Sequence, residues 1–214
     1  MTLDRYRHIA VEGAIGVGKT TLARRLAQAL GARLLLEKPE DNPFLAKYYA
    51  DPARYALPTQ LSFLFQRAEQ AGELMQAGIF ASLVVSDFMF AKDRLFAQLT
   101  LSDDEYKLYE RISADVAPPT PPPDLVVWLR APATVLLERV LRRGRAMEQG
   151  LQSDRLQQLD HHYAAFFARE TSLPVLAVET AHADYEHSDA ALNALVQRIE
   201  AFDGTRAAFD LRVQ

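Results

Sequence analysis

Apolar residues along the chain fall into two alternating rhythms. Short runs at 8–12, 33–37, 82–86, 124–129 and 174–179 carry strings such as H-I-A-V-E and D-L-V-V-W-L, which predict strands. Between them lie longer segments whose apolar positions recur three to four residues apart. They predict helices over 19–30, 42–49, 57–77, 103–114, 132–143, 153–169 and 186–202. Strands alternating with helices predict an α/β three-layer fold, a central parallel sheet of about five strands with helices on both faces. Residues 102–105 (S-D-D-E) read as a helix N-cap followed by an acidic first turn, and 118–123 (P-P-T-P-P-P) as a stiff connector before the fourth strand.

One junction in this pattern carries chemistry. Residues 13–20 read G-A-I-G-V-G-K-T, a G-x-x-x-x-G-K-[ST] loop between the first strand and a helix whose Leu22, Leu26 and Leu30 share one face. Glycines let the backbone fold back so that successive peptide N–H groups converge on phosphate oxygens. The following helix points its positive end at the same place. Gly13, Ala14, Ile15, Gly16, Val17, Gly18, Lys19, Thr20 and Thr21 are therefore the expected binding residues for a nucleoside triphosphate. Lys19 would meet the outer phosphates, and the Thr20 hydroxyl a Mg²⁺ ion. The fold is thus expected to be of the P-loop NTPase type.

Composition narrows the partners. The chain has 214 residues, 49% of them hydrophobic, enough for one core, so a single domain over 1–214 is expected. The formal net charge is −4 and no basic tract appears, which argues against a nucleic-acid polymer as partner. There are no cysteines, hence no disulfides or thiolate metal sites, and a cytoplasmic location is the simplest expectation. No stretch approaches the roughly 20 apolar residues of a membrane span, so no membrane partner is expected. His161 and His162 are adjacent, the wrong spacing for a pair on one helix face, so a histidine metal site is not expected.

In an open parallel sheet the ligand lies beyond the carboxyl ends of the strands. Glu37 and Asp87 follow the second and third strands there. Taken singly, each reads equally well as a functional carboxylate or as a solvated charge or helix cap, and together with the phosphate loop they point to chemistry. Gln60 and Arg67, two helical turns apart, would by themselves read as solvent-facing, and Phe63, Leu64, Phe65 and Phe90 as ordinary core.

The phosphate loop, L-E-K-P-E-D-N-P-F-L from Leu36, Y-Y-A-D-P-A-R-Y-A-L-P-T-Q from Tyr48 and R-R-G-R-A-M-E-Q-G-L from Arg142 together resemble the deoxynucleoside kinase family over nearly the whole chain. That family includes the deoxycytidine, deoxyguanosine and deoxyadenosine kinases. The resemblance implies ATP-dependent phosphorylation of a deoxynucleoside at its 5′-hydroxyl, with Mg²⁺ bound beside the phosphates and a homodimeric assembly. It implies Glu37 as the base near the hydroxyl, Gln60 and Arg67 at the nucleobase, and Tyr49 with Glu148 at the sugar 3′-hydroxyl. An Arg-rich lid over about 139–152 would bring Arg139, Arg143 and Arg145 to the phosphates, with Arg139 at the transferring group. Asp184 and Tyr185 would lie beside the adenine of ATP, and Asp87 with Thr20 would serve the metal.

The resemblance also exposes a departure. Many family members carry Asp-Arg-Ser or Glu-Arg-Ser after the third strand, whereas this chain reads Ser86-Asp87-Phe88. The lost positive charge is expected to come from Lys92 or Arg94, with Arg94 preferred for its guanidinium fork. Asp93 is the expected base-reading carboxylate of this segment, although a strict register puts Lys92 in that place, and purine deoxynucleosides are the expected substrates. Two other readings stay open: a nucleoside monophosphate kinase using Arg54 and Arg67 for the acceptor's phosphate, and a non-catalytic nucleotide-binding module.

Overall fold

The computed structural model describes residues 3–79, 83–118, 120–148 and 150–211. Six strands form one parallel sheet: β1 (His8–Gly13), β2 (Arg33–Leu35), β3 (Val84–Ser86), β4 (Leu125–Arg130), β5 (Val175–Glu179) and β6 (Arg206–Asp210), in the order β2-β3-β1-β4-β5-β6. The helices are α1 (Lys19–Leu30), α2 (Leu45–Ala50), α3 (Pro52–Ile79), α4 (Lys92–Thr100), α5 (Asp103–Val116), α6 (Ala133–Arg143), α7 (Ser153–Arg169) and α8 (Asp189–Glu200). None of the described helices is long and apolar enough to cross a membrane.

Strands β1 and β4 are apolar almost without interruption because helices cover both faces of a parallel sheet. Ile9, Ala10 and Val11 pair in register with Leu125, Val126 and Val127, and all six are inaccessible to solvent. Leu22 and Leu26 of α1 pack into the same core, as their four-residue spacing predicts. Strand order reverses at β1, where β3 lies on one side and β4 on the other, so the crevice for a ligand opens beyond its carboxyl end.

Four expectations need correction. The sheet has six strands, not about five; β6 is an edge strand whose exposure alternates, and its R-A-A-F-D sequence has too few apolar positions to signal a strand. Helix α4 was not expected, since its nine residues carry a short apolar face of Leu95, Phe96 and Leu99. Helix α3 begins at Pro52, not 57, and runs through Pro58. Asp51 accepts from the Arg54 amide at 3.3 Å and Pro52 occupies the first helical position, where its missing N–H costs nothing. The remaining helix ends shift by a few residues, with α2 at 45–50 and α8 at 189–200. The expected third strand included Ser82, which lies outside the described residues.

Buried Glu12 ties the end of β1 to two other segments. Its carboxylate accepts from the Met89 amide at 2.9 Å, the Tyr163 hydroxyl at 2.9 Å and its own neighbour's amide at Gly13, 3.2 Å away. Burial, followed by the nearby Glu12 charge, pushes the Tyr163 hydroxyl well above its ordinary pKa, so it stays a donor.

Candidate active site

The phosphate loop takes its shape from close packing. Gly13 has φ 143°, and a Cβ there would overlap the Leu129 carbonyl oxygen of β4. Gly18 has φ 97°, and a Cβ would overlap the hydroxyl of Tyr185. Loop and neighbours fit only because these positions lack side chains. Lys19 reaches back under the loop, donating to the Gly13 carbonyl at 2.9 Å and the Ala14 carbonyl at 3.2 Å. Burial and the neighbouring Lys92 ammonium lower its pKa to about 8.

The carboxyl ends of β1 to β3 bring three groups of this loop region together. Thr20 donates its hydroxyl to Asp87 Oδ2 at 2.5 Å, and Asp87 Oδ1 accepts the Glu37 backbone amide at 2.8 Å. One carboxylate thus orders both the start of α1 and the chain leaving β2. Hydroxyl and carboxylate together form an oxygen donor set of the kind a hard divalent cation accepts.

The Glu37 side chain heads a second, longer array. Its Oε1 accepts from Arg67 at 2.5 Å and its Oε2 from Lys92 at 3.2 Å. Arg67 also pairs with Asp93, whose other oxygen accepts the Tyr109 hydroxyl at 2.5 Å. Arg67, Lys92 and Asp93 are all buried. Burial works to raise the Glu37 pKa, but Lys92, Arg67 and Lys19 outweigh it and hold the carboxyl at about 2. Glu37 is therefore a firmly ionised anchor and a weak proton acceptor.

A cavity of about 280 Å³ joins the two arrays. Ile15, Gly16, Lys19 and Thr20 line its phosphate-loop end, and Glu37, Gln60, Phe63, Arg67 and Lys92 its interior. Gln60 is 3% exposed, and its side-chain carbonyl has no hydrogen-bond partner. Tyr49 and Glu148 stand across the same space, where burial and the Glu148 carboxylate raise the tyrosine pKa to about 12. Glu148 accepts from Arg143 at 2.6 Å, and Arg145 crosses to Glu40 at 2.7 Å. These lid side chains lie within the described residues, whereas Gln149 of the expected lid does not.

Several expected residues lie elsewhere. Asp93 does not line the cavity; its carboxylate is taken by Arg67 and Tyr109 behind the wall. Tyr185 does not face it either, because its hydroxyl donates to the Val17 carbonyl at 2.5 Å and so buttresses the phosphate loop. Asp184 is exposed and pairs with His187 at 3.0 Å. Arg139 donates to the Thr180 carbonyl at 2.6 Å, away from the cavity. Gly13, Ala14, Val17, Gly18 and Thr21 form the loop and helix start without lining the cavity. Preferred Arg94 is on the outer surface, 68% exposed and paired with Glu110 at 2.7 Å, while Lys92 is inside.

Two further cavity-lining cations were not expected from the sequence. Arg155 of α7 donates to the Tyr48 hydroxyl, and Arg24 lies one turn beyond Thr20 on α1. The helical spacing from Thr20 to Arg24 was the available signal, since residues four apart share a face.

A phosphate loop at the switch point of a parallel sheet, opening into a cavity with a fixed carboxylate and a ring of cations, defines a P-loop phosphotransferase. Comparison narrows the class. A family model described as deoxynucleoside kinase matches residues 9–202. Deoxyguanosine kinase of Bacillus subtilis is 32% identical over 181 residues, covering 82% of this chain and 86% of the relative. Deoxyadenosine/deoxycytidine kinase of the same organism is 28% identical over 198 residues, covering 89% and 90%. Among solved structures, deoxyadenosine kinase from M. mycoides with the products dCMP and a flexible dCDP bound matches with TM-score 0.76 at 21% identity, over 92% of this chain and 100% of that one. The chain belongs to the deoxynucleoside kinase family, whose members phosphorylate deoxynucleosides to monophosphates with ATP as donor.

Proposed function

We propose that this chain transfers the γ-phosphoryl group of ATP to the 5′-hydroxyl of a deoxynucleoside, purine deoxynucleosides first, and that residues 1–214 act as one kinase domain. The observation that carries the reading is Gln60: a buried amide with an unpaired carbonyl, set in the cavity wall beside Arg67 and in the same space as Glu37 and Lys19. An amide donates and accepts, which suits the edge of a base. The purine preference is supported by relatives named deoxyguanosine and deoxyadenosine kinases.

In this reading the phosphate loop and Lys19 hold the donor, Glu37 orients the acceptor hydroxyl, and Tyr49 with Glu148 binds the 3′-hydroxyl. Mg²⁺ would sit on Thr20 and Asp87, whose paired oxygens suit it, and would neutralise phosphate charge. Arg143 and Arg145 supply fixed cations from the lid, Arg139 and Tyr185 support the phosphate loop through the Val17 carbonyl, and exposed Asp184 lies beside the adenine of the donor. Glu37, its pKa held at about 2, contributes mainly position and charge, which is what phosphoryl transfer chiefly requires. Phe65 and Met75 of α3 and Leu108 of α5 are exposed apolar side chains on packed helices, and a homodimer would cover them.

A monophosphate kinase needs a cation for the acceptor's own phosphate. Of the two cations that alternative would use, Arg54 is outside the cavity and Arg67 is already paired with Glu37 and Asp93, which weighs against that assignment. Initial rates with ATP and a panel of deoxynucleosides, ribonucleosides and their monophosphates test the proposal. Turnover of deoxynucleosides, highest for purines, is expected. Turnover of monophosphates alone, or of none, would replace the reading.

A further inference from the structure

The residue following Asp87 is Phe88, which is buried with Leu35 and Val84 in a small apolar cluster, so no positive charge reaches the cavity from there. The charge comes from the next element. Lys92, the first residue of α4, is 3% exposed, and its Nζ lies 3.2 Å from Glu37 Oε2 on the cavity wall. Its ammonium also stands 5.5 Å from the centre of the Phe96 ring, one turn further along α4. That aromatic face favours the cation and fixes the long stem.

An ammonium has three donors. Glu37 takes one, leaving two on a side chain that lines the cavity. Lys19 lines the same cavity, so the two ammonium groups surround one space. Two cations and one carboxylate converging on a pocket suit a reaction in which an oxygen held by the carboxylate attacks a phosphorus surrounded by anionic oxygens.

We propose, on the reading that this site is a deoxynucleoside kinase centre, that Lys92 is a catalytic cation: its Nζ, held by Glu37, donates to a non-bridging oxygen of the phosphoryl group in transfer. The acceptor's 5′-oxygen forms a bond to the γ-phosphorus while the bond from that phosphorus to the β,γ-bridging oxygen breaks. The electron pair leaves with ADP, and the hydroxyl proton passes to solvent once the new oxygen–phosphorus bond has formed. Lys92 gives up no proton in this step. It stabilises charge on the equatorial oxygens, where a fixed cation acts more strongly in the transition state than in the ground state.

The test compares Lys92→Met, which keeps the stem over Phe96, with wild type. Loss of one aimed cationic donor should lower kcat by about 100-fold or more, with KM for ATP and deoxynucleoside changed less than about threefold. Affinity for ADP plus aluminium fluoride and deoxynucleoside, a mimic of the transferring group, should fall in parallel with kcat. Nucleoside affinity alone should not. Arg94→Ala, on the outer surface, should match wild type throughout. A kcat within about tenfold of wild type, or a loss that appears in KM and leaves mimic binding unchanged, overturns the role of Lys92. Should Lys92→Met fail to fold by circular dichroism, Lys92→Gln, which retains a donor toward Glu37, decides by the same criteria. A wild-type protein that phosphorylates no deoxynucleoside would instead defeat the parent reading.

Discussion

The two ends of the cavity are built differently. The phosphate-loop end is local: Lys19 and Thr20 follow the glycines directly, and backbone geometry places them wherever the loop forms. The acceptor end is assembled at long range, from Glu37 after β2, Gln60 and Arg67 on α3, Lys92 and Asp93 on α4 and Tyr109 on α5. A loop stores its function in spacing. The acceptor end stores it in a relay of buried charges that exists only once several helices have packed, so its parts should depend on one another where the loop's do not.

Lys19→Ala should have the largest effect. It removes a charge aimed at the donor phosphates, and kcat should fall by about 1000-fold or more while the melting temperature stays within a few degrees. Near-normal turnover by the variant would remove the loop from the donor site. Glu37→Gln should cost about 100-fold in kcat, with a smaller change in nucleoside KM. Because Glu37 also anchors Arg67 and Lys92, this variant should destabilise the protein in thermal melts as Lys19→Ala does not. Equal stability for the two variants would erase the contrast between the ends.

Gln60→Ala comes next. Unpaired base-edge groups should weaken nucleoside binding by about 1 to 3 kcal/mol while ATP affinity, measured calorimetrically, stays the same. A shared loss for both ligands would make Gln60 a packing residue.

The smallest effect is a pH dependence confined to the loop end. Lys19 titrates near 8 in the folded free protein, below its ordinary 10.5, so kcat/KM for ATP should decline above about pH 8 as the ammonium is lost. Stability should move the other way. Between pH 8 and 10 the unfolded chain holds a proton on Lys19 that the folded chain has released, so this residue makes the fold more stable as pH rises. Lys19→Met should flatten that slope in denaturant titrations, and an unchanged slope would assign it to other groups.

The same contrast explains what could be read from the sequence. Strands β1 and β4 were legible because burial on both faces demands an unbroken apolar run, and α1 because its leucines repeat at four. The phosphate loop was legible because its chemistry is contiguous in the chain. Strand β6 was not, as an edge strand half open to solvent needs little apolar sequence. Helix α4 was hidden by its length, and with it the inward face of Lys92. Residues 92 and 94 are two apart on that helix and cannot face the same way, but only tertiary packing decides which one faces in. Asp93 was placed at the base by resemblance, yet packing sets its carboxylate on Arg67 and Tyr109, whereas Tyr185, expected on the donor side, lies against the phosphate loop.

Glu12 carries a consequence for how such a chain can drift. Its two oxygens answer donors at Gly13, at Met89, 77 residues away, and at Tyr163, 151 residues away. A glutamine there would turn one acceptor into a donor aimed at groups that are themselves donors, and a shorter aspartate could not span all three. Repair would require simultaneous adjustment in three separate stretches of chain, of which two offer only backbone amides that no change of side chain turns into acceptors. Substitution at this position therefore has no single-step route that keeps the network whole, and a library randomised at position 12 should return glutamate even when selected for folding alone.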